Sequence, residues 1–199
     1  MATISTYISH TGRCTDFYFN KKNIMFAIGR STPWGELESD SDYGTTISDA
    51  NPPYPSLDAE TVDELIGYKR YKSKYFVVPD DTSADLIVDG VRWRKIQLDE
   101  TPSDEDAAKE KLIELVKANK SRWIYLDFQL DPTDFIGYTY RQIGLFTDLT
   151  ILAPATEAMT LYQASEIKEG SGILEAVQNR TPVTRQMDQR EVISVVLEF

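Results

Sequence analysis

The sequence predicts a mainly β protein: a two-layer, β-sandwich-like domain with a long acidic loop and one inserted surface helix. Three observations predict it. Apolar residues alternate with period two in several short runs, one long tract is rich in Pro, Gly and Ser and empty of cations, and a single segment carries a well-capped helical pattern. In chain order, Ile24-Met25-Phe26-Ala27-Ile28 is an apolar run closed by Gly29 and reads as a buried strand. Residues 31–57 follow as a loop, since Ser39-Asp40-Ser41-Asp42-Tyr43-Gly44 and Asn51-Pro52-Pro53-Tyr54-Pro55 favour turns and extended backbone over helix or central strand. Its length points to a working loop or a partly mobile one. A short helix is expected near Ala59 to Tyr68, carrying Val62, Leu65 and Ile66 inward. Tyr75-Phe76-Val77-Val78, stopped by Pro79, is a second strand.

The helical insertion is placed at 103–120. Ser103 is the expected N-cap, Asp104, Glu105 and Asp106 suit the positive end of the helix dipole, and Lys117 and Lys120 suit the other end. Leu112, Leu115, Val116 and Asn119 make only a narrow stripe, so this helix is expected on a surface. From Trp123 to Leu130, Ile124, Leu126, Phe128 and Leu130 share a face opposite Tyr125, Asp127 and Gln129. Ile193, Val195, Leu197 and Phe199 do the same at the far end of the chain, opposite Val192, Ser194, Val196 and Glu198. Such a strand is expected to be tied into a sheet, because alone it would expose its apolar row. Residues 1–199 are read as one β-rich structural domain.

Composition narrows the function. The 199 residues carry 32 acidic against 21 basic side chains, a formal charge of −11, which disfavours a nucleic-acid or membrane-surface partner. The excess is local. Between Ser31 and Tyr68 there is no Lys or Arg, while Glu36, Glu38, Asp40, Asp42, Asp49, Asp58, Glu60, Asp63 and Glu64 supply nine negative charges, so the rest of the chain stands at −2. A hydrophobic fraction of 41% is enough for a folded core. No apolar run reaches the roughly 18 residues of a membrane span, and the first residues lack a secretory pattern, so a cytoplasm-like compartment is expected.

Catalytic, metal and cofactor sites are not expected. One cysteine, Cys14, and one histidine, His10, cannot make a zinc cluster, and neither has a second partner for nucleophilic chemistry. Asp127, Asp131 and Asp134 could form a carboxylate pair, but Asp127 sits on the polar face of its strand and Asp131-Pro132-Thr133-Asp134 is turn chemistry. Asp40 and Asp42 lack the closing Glu of a calcium loop, and Gly170-Ser171-Gly172 lacks the third glycine of a dinucleotide fingerprint and reads as a turn before a strand.

What stands out is a set of rigid, polar phrases beside apolar strands. Gly29-Arg30-Ser31-Thr32-Pro33-Trp34-Gly35 leaves the first strand directly, Tyr140-Arg141-Gln142-Ile143-Gly144-Leu145-Phe146 puts Arg141 and Gln142 inside an apolar strand, and Asn179-Arg180-Thr181-Pro182-Val183-Thr184-Arg185 precedes the last one. Each reads either as a corner in which Arg satisfies loop carbonyls or as a partner contact, because Arg and Trp anchor interfaces. Taken in order, Phe26-Ala27-Ile28-Gly29-Arg30-x-x-Pro33-Trp34, the Asn51-Pro52-Pro53-x-Pro55 turn, the Tyr140 to Phe146 phrase, Asn179-Arg180-x-Pro182-Val183-x-Arg185-x-x-Asp188-Gln189 and the Val195 to Phe199 ending resemble the baseplate wedge proteins of contractile-tailed bacteriophages.

That resemblance implies a non-catalytic virion structural protein of the tail baseplate, present in the host cytoplasm during assembly and docking to other wedge and tail proteins. It also implies a homodimer. Carried over as fold-defining or contact residues are Gly29, Arg30, Pro33, Trp34, Arg141, Gln142, Arg180, Pro182 and Arg185, to which the loop aromatics Tyr43 and Tyr54 are added as candidate contacts. Helix 103–120 departs from the family pattern. Two other readings compete: a receptor- or glycan-binding module at a tail tip that stacks sugars on Trp34 and exposed tyrosines, and a cell-wall hydrolase built on an acid pair.

Overall fold

The computed structural model describes residues 4–35, 46–99 and 102–199. Its elements are α1 (Tyr7–Asn20), β1 (Met25–Gly29), β2 (Gly67–Arg70), β3 (Ser73–Pro79), β4 (Leu86–Val88), β5 (Val91–Ile96), α2 (Glu105–Ala118), β6 (Trp123–Leu130), β7 (Thr139–Thr147), β8 (Leu161–Gln163), β9 (Ile173–Thr184) and β10 (Glu191–Glu198). The mainly β class stands. Two five-stranded sheets form, in the orders β8-β2-β1-β7-β9 and β10-β6-β3-β5-β4. The chain divides into two compact units, Met1–Lys21 with Lys72–Asp127 and Ile193–Phe199, and Lys22–Tyr71 with Phe128–Val192, so that β6 and β10 each contribute to both.

In the unit that holds β1, this strand is buried along its whole length because β2 and β7 flank it, both antiparallel. One face packs Met25 and Ala27 with Val62, Tyr68, Phe146, Leu149, Tyr162 and Ile167. On the other, the Phe26 and Phe128 rings lie 4.9 Å apart. A continuous apolar run is what a strand covered on both faces requires.

In the other unit, β3, β4, β5 and β6 carry a cluster of Val77, Val88, Trp93 and Tyr125, with Tyr75, Trp123 and Val196 against it. The opposite face receives α1, whose Tyr18 ring stacks 4.1 Å from Phe76 and whose Phe17 ring lies 5.0 Å from Phe199. Thr11 Oγ1 donates to Ser121 O (3.0 Å), and Ser121 Oγ donates to Val77 O (2.8 Å), which ties the helix to β3. Strand β10 is hydrogen-bonded to β6, as the alternation at this end of the sequence predicts.

One helix is new and two local expectations change. The N-terminal segment is a helix, with Thr6 as N-cap and Thr11, Cys14 and Phe17 buried at i, i+3, i+6. Its residues, Tyr-Ile-Ser-His-Thr-Gly-Arg-Cys-Thr-Asp-Phe-Tyr-Phe-Asn, are poor helix formers, so tertiary packing decides its conformation. Cys14 is fully buried there and its thiol is pushed up to about 12 by desolvation, which makes it inert. Residues 59–68 do not form a helix. Turns run to Glu64, which takes a φ of +43°, and β2 begins at Gly67. A left-handed residue ends any helical run, and Val62 alone of the three apolar side chains is fully buried. The insertion α2 forms, but its cap is Asp104, whose carboxylate accepts from Ala107 N (2.8 Å), one residue later than expected.

This shift has a direct test. Asp104→Ala is expected to lower stability by about 1 kcal/mol in urea unfolding, while Ser103→Ala leaves it within about 0.5 kcal/mol.

Candidate functional site

The polar phrases converge in the unit that holds β1. That strand ends at Gly29, where an added Cβ would lie 2.3 Å from Asp63 O and 2.5 Å from Val62 Cγ1, so only glycine allows the 62–64 segment to come this close. Arg30 then turns the chain with φ +56°, and its amide donates to Asp63 O at 2.6 Å. Its guanidinium lies 3.8 Å above the Trp34 ring and 3.2 Å from Asp63 Oδ2, and the residue is only 4% exposed. Ser31 N and Thr32 N donate to Glu64 Oε2 (2.9 and 3.0 Å), joined by the Ser31 hydroxyl. These donors hold the Glu64 carboxyl down at about 2, with the Ser31 side chain the largest cause.

Arg141, in β7, is the centre of the arrangement. Its Nε and Nη2 bond both oxygens of Asp49 (2.7 and 2.8 Å), and its Nη1 donates to Ser31 O. The Arg141 hydrogen bond lowers the Asp49 pKa. Asp49 Oδ1 also accepts from Trp34 N (2.9 Å), and the indole Nε1 of Trp34 donates to Arg180 O (2.9 Å). Beside Arg141 on β7, Gln142 accepts from Asp63 N (2.6 Å) and donates to Asn179 Oδ1 (2.8 Å), while Asn179 Nδ2 reaches Pro53 O (3.0 Å). The two ends of the 31–57 loop are thereby fastened to β7 and β9.

Gly29, Arg30, Trp34, Arg141 and Gln142 therefore meet in one buried polar knot, with Pro33 half-buried at its rim. Arg180 joins through its carbonyl only. Its guanidinium pairs with Glu191 (3.3 Å) and lies over the Tyr140 ring. Arg185, 2% exposed, forms a second focus: Nη2 donates to Asp131 O (2.8 Å) and Gln189 O (3.0 Å), and Nη1 lies 3.5 Å from Glu191 Oε2. The Asn179 to Arg185 phrase precedes the last strand, β10, as expected, and itself lies largely within β9, with Pro182 exposed on it. Tyr54 is 92% exposed. Tyr43, with Glu36, Glu38, Asp40 and Asp42, lies outside the described residues.

Asp49, Asp63, Glu64 and Glu191 are the partners that sequence reasoning did not single out. The available signal was the tract itself, in which carboxylates without local cations must find Arg30 and Arg141 across the sheet. Of the proposed acid pair, Asp134 and Asp131 both hold the buried Lys69 (2.6 and 3.5 Å), and Asp131 is lowered chiefly by its bond from Gln129. Among the described residues no group of three or more His, Cys, Asp or Glu is placed to hold a metal, and no helix is long and apolar enough to cross a membrane.

The whole chain, residues 1–199, matches a family described as baseplate wedge 3 tail fiber network component. The chain belongs to this family. It is a structural protein of the bacteriophage tail baseplate wedge, as its resemblance to baseplate wedge proteins implied. No curated protein matches it. The family description connects this wedge protein with baseplate and tail-fibre components.

Two measurements test the knot. Arg141→Ala is expected to cost about 2–4 kcal/mol, less than a wholly buried pair because a third of the Asp49 side chain still reaches water, and Arg141→Lys recovers only part since it lacks the fork. For Glu64 the folded carboxyl ionises near 2 against a usual 4.5. Between those values the unfolded chain binds more protons, so the stabilisation is whole above pH 4.5 and is lost as pH falls towards 2. Glu64→Gln is expected to make the slope of stability against pH shallower in that window.

Proposed function

We propose that this wedge protein is non-enzymatic and acts by docking to other baseplate wedge and tail-fibre network proteins, and to a second copy of itself, during baseplate assembly in the host cytoplasm. The observation that carries this reading is the family match over all 199 residues, which covers both compact units. The electrostatics support it. Asp49, Glu64, Asp80 and Asp131 all have lowered pKa values, held by hydrogen-bond donors, whereas a general acid needs a raised one.

Within this reading the candidate residues take two roles. Gly29, Arg30, Pro33, Trp34, Arg141, Gln142, Arg180 and Arg185 define the fold of the loop and its supports, since Arg30, Trp34, Arg141, Gln142, Arg180 and Arg185 each make polar contacts within the chain and Gly29 admits the 62–64 segment. Tyr43, Tyr54 and Pro182 are contact residues, and Leu57 joins them because it stands fully exposed beside Tyr54 on the same loop. An aromatic and an aliphatic side chain held out on an anchored loop suit an interface better than a solvated surface.

Tyr54→Ala combined with Leu57→Ser is expected to leave the melting temperature unchanged and to lower incorporation into baseplates severalfold, measured by quantitative immunolabelling of purified virions. Absence of label from the baseplate with the wild-type chain, or cell-wall clearing by the isolated protein in a zymogram, overturns the reading.

A further inference from the structure

The four edge strands of the two sheets are not equally protected. Strands β4 and β8 have three residues each, and β9, although long, carries Arg180 and Pro182 and slips register twice against β7. Short length, proline, charge and bulges are the devices that stop an edge from pairing with another chain. Strand β10 has no proline and carries charge only at its two ends, Glu191 and Glu198. It runs for eight residues, and Val192-Ile193-Ser194-Val195-Val196-Leu197 contains no charge, proline or glycine. Among the described residues no strand lies beyond it in the sheet order.

The direction of its free backbone groups follows from one bond. Phe199 N donates to Arg122 O (2.9 Å), so in an antiparallel ladder 193, 195 and 197 also face β6. The amides and carbonyls of Val192, Ser194, Val196 and Glu198 then point away from the sheet. They form a ready template for strand addition.

We propose that β10 pairs antiparallel with β10 of a second copy, about a two-fold axis through Val195, joining two sheets edge to edge. In this register Ser194 faces the second copy's Val196 and Val192 faces its Glu198, and about eight backbone hydrogen bonds form. Charge complementarity selects β10 itself as the occupant. Arg190 immediately precedes β10 and Glu198 ends it, so the axis brings each Arg190 towards the end of the joined strands where the other copy's Glu198 lies, within reach of long side chains. Both lie in exposed ion pairs that the second copy would exchange: the Arg190 side chain is 64% exposed with Asp131 at 3.6 Å, and the Glu198 side chain is 57% exposed with Arg122 at 2.8 Å. The two-fold repeats the pair, so both ends of the joined strands are matched.

This surface rests on the homo-oligomer reading above, and sedimentation equilibrium of the full chain separates the two. The wild type is expected to dimerise reversibly. Ser194→Pro removes an amide that β6 does not use and is expected to weaken the dimer about tenfold or more while the circular dichroism spectrum is kept. Arg190→Glu or Glu198→Arg alone is expected to weaken it about two- to fivefold, and the two together to restore it. If Ser194→Pro unfolds, the charge exchange decides alone. A wild type that stays monomeric overturns the edge pairing and the homo-oligomer reading together. A dimer indifferent to a folded Ser194→Pro, or one the double exchange does not restore, overturns the edge pairing only.

Discussion

The contact between Arg141 and Asp49 governs how a loop without cations can be ordered on its sheet. A guanidinium whose side chain is 8% exposed must recover its hydration from fixed acceptors, and both Asp49 oxygens with the Ser31 carbonyl provide them. Asp49 in turn aligns Trp34, Trp34 reaches the Arg180 carbonyl, and Arg30 closes the circuit over the indole face. An apolar plug could bury as much surface, but it would not choose which loop residue sits at which strand. Direction and valence do that here, because each donor meets an acceptor of fixed geometry.

Most of the β architecture was legible in the sequence because burial imposes a period that side chains must obey. Strands β1, β3, β6 and β10 fall where alternation or an unbroken apolar run put them, to within about two residues. The failures share one cause. Helix α1 is held by Thr11, Cys14 and Phe17 meeting residues far along the chain, such as Ser121 and Phe199, and the 59–68 segment is denied a helix by Gln142 and Arg30 binding the backbone at Asp63. Both are decided by contacts across long sequence separations, which local propensity does not record.

The same limit applied to the candidate residues. Arg141 and Gln142 were conspicuous as polar residues in an apolar strand, but their partners could not be chosen from nine carboxylates of similar appearance. The pairing also revises the charge map. Asp49, Asp63 and Glu64 bind donors within the chain, so the negative field available to a neighbouring protein is smaller than the raw count for the tract.

Arg185 differs in kind from the carboxylates around it. It fastens the turn after β6 by donating to main-chain oxygens of Leu130, Asp131 and Asp134, as well as to that of Gln189. Neither a guanidinium nor a peptide carbonyl changes protonation in any pH range where proteins stay folded. This fastening is therefore indifferent to acid, whereas Glu64 releases its hold once protonated. Acid would therefore remove a carboxylate acceptor at the loop end of the sheet while the Arg185 bonds to main-chain oxygens persist, and in the β6 turn it would act on the Asp131 carboxylate that Gln129 and Lys69 hold.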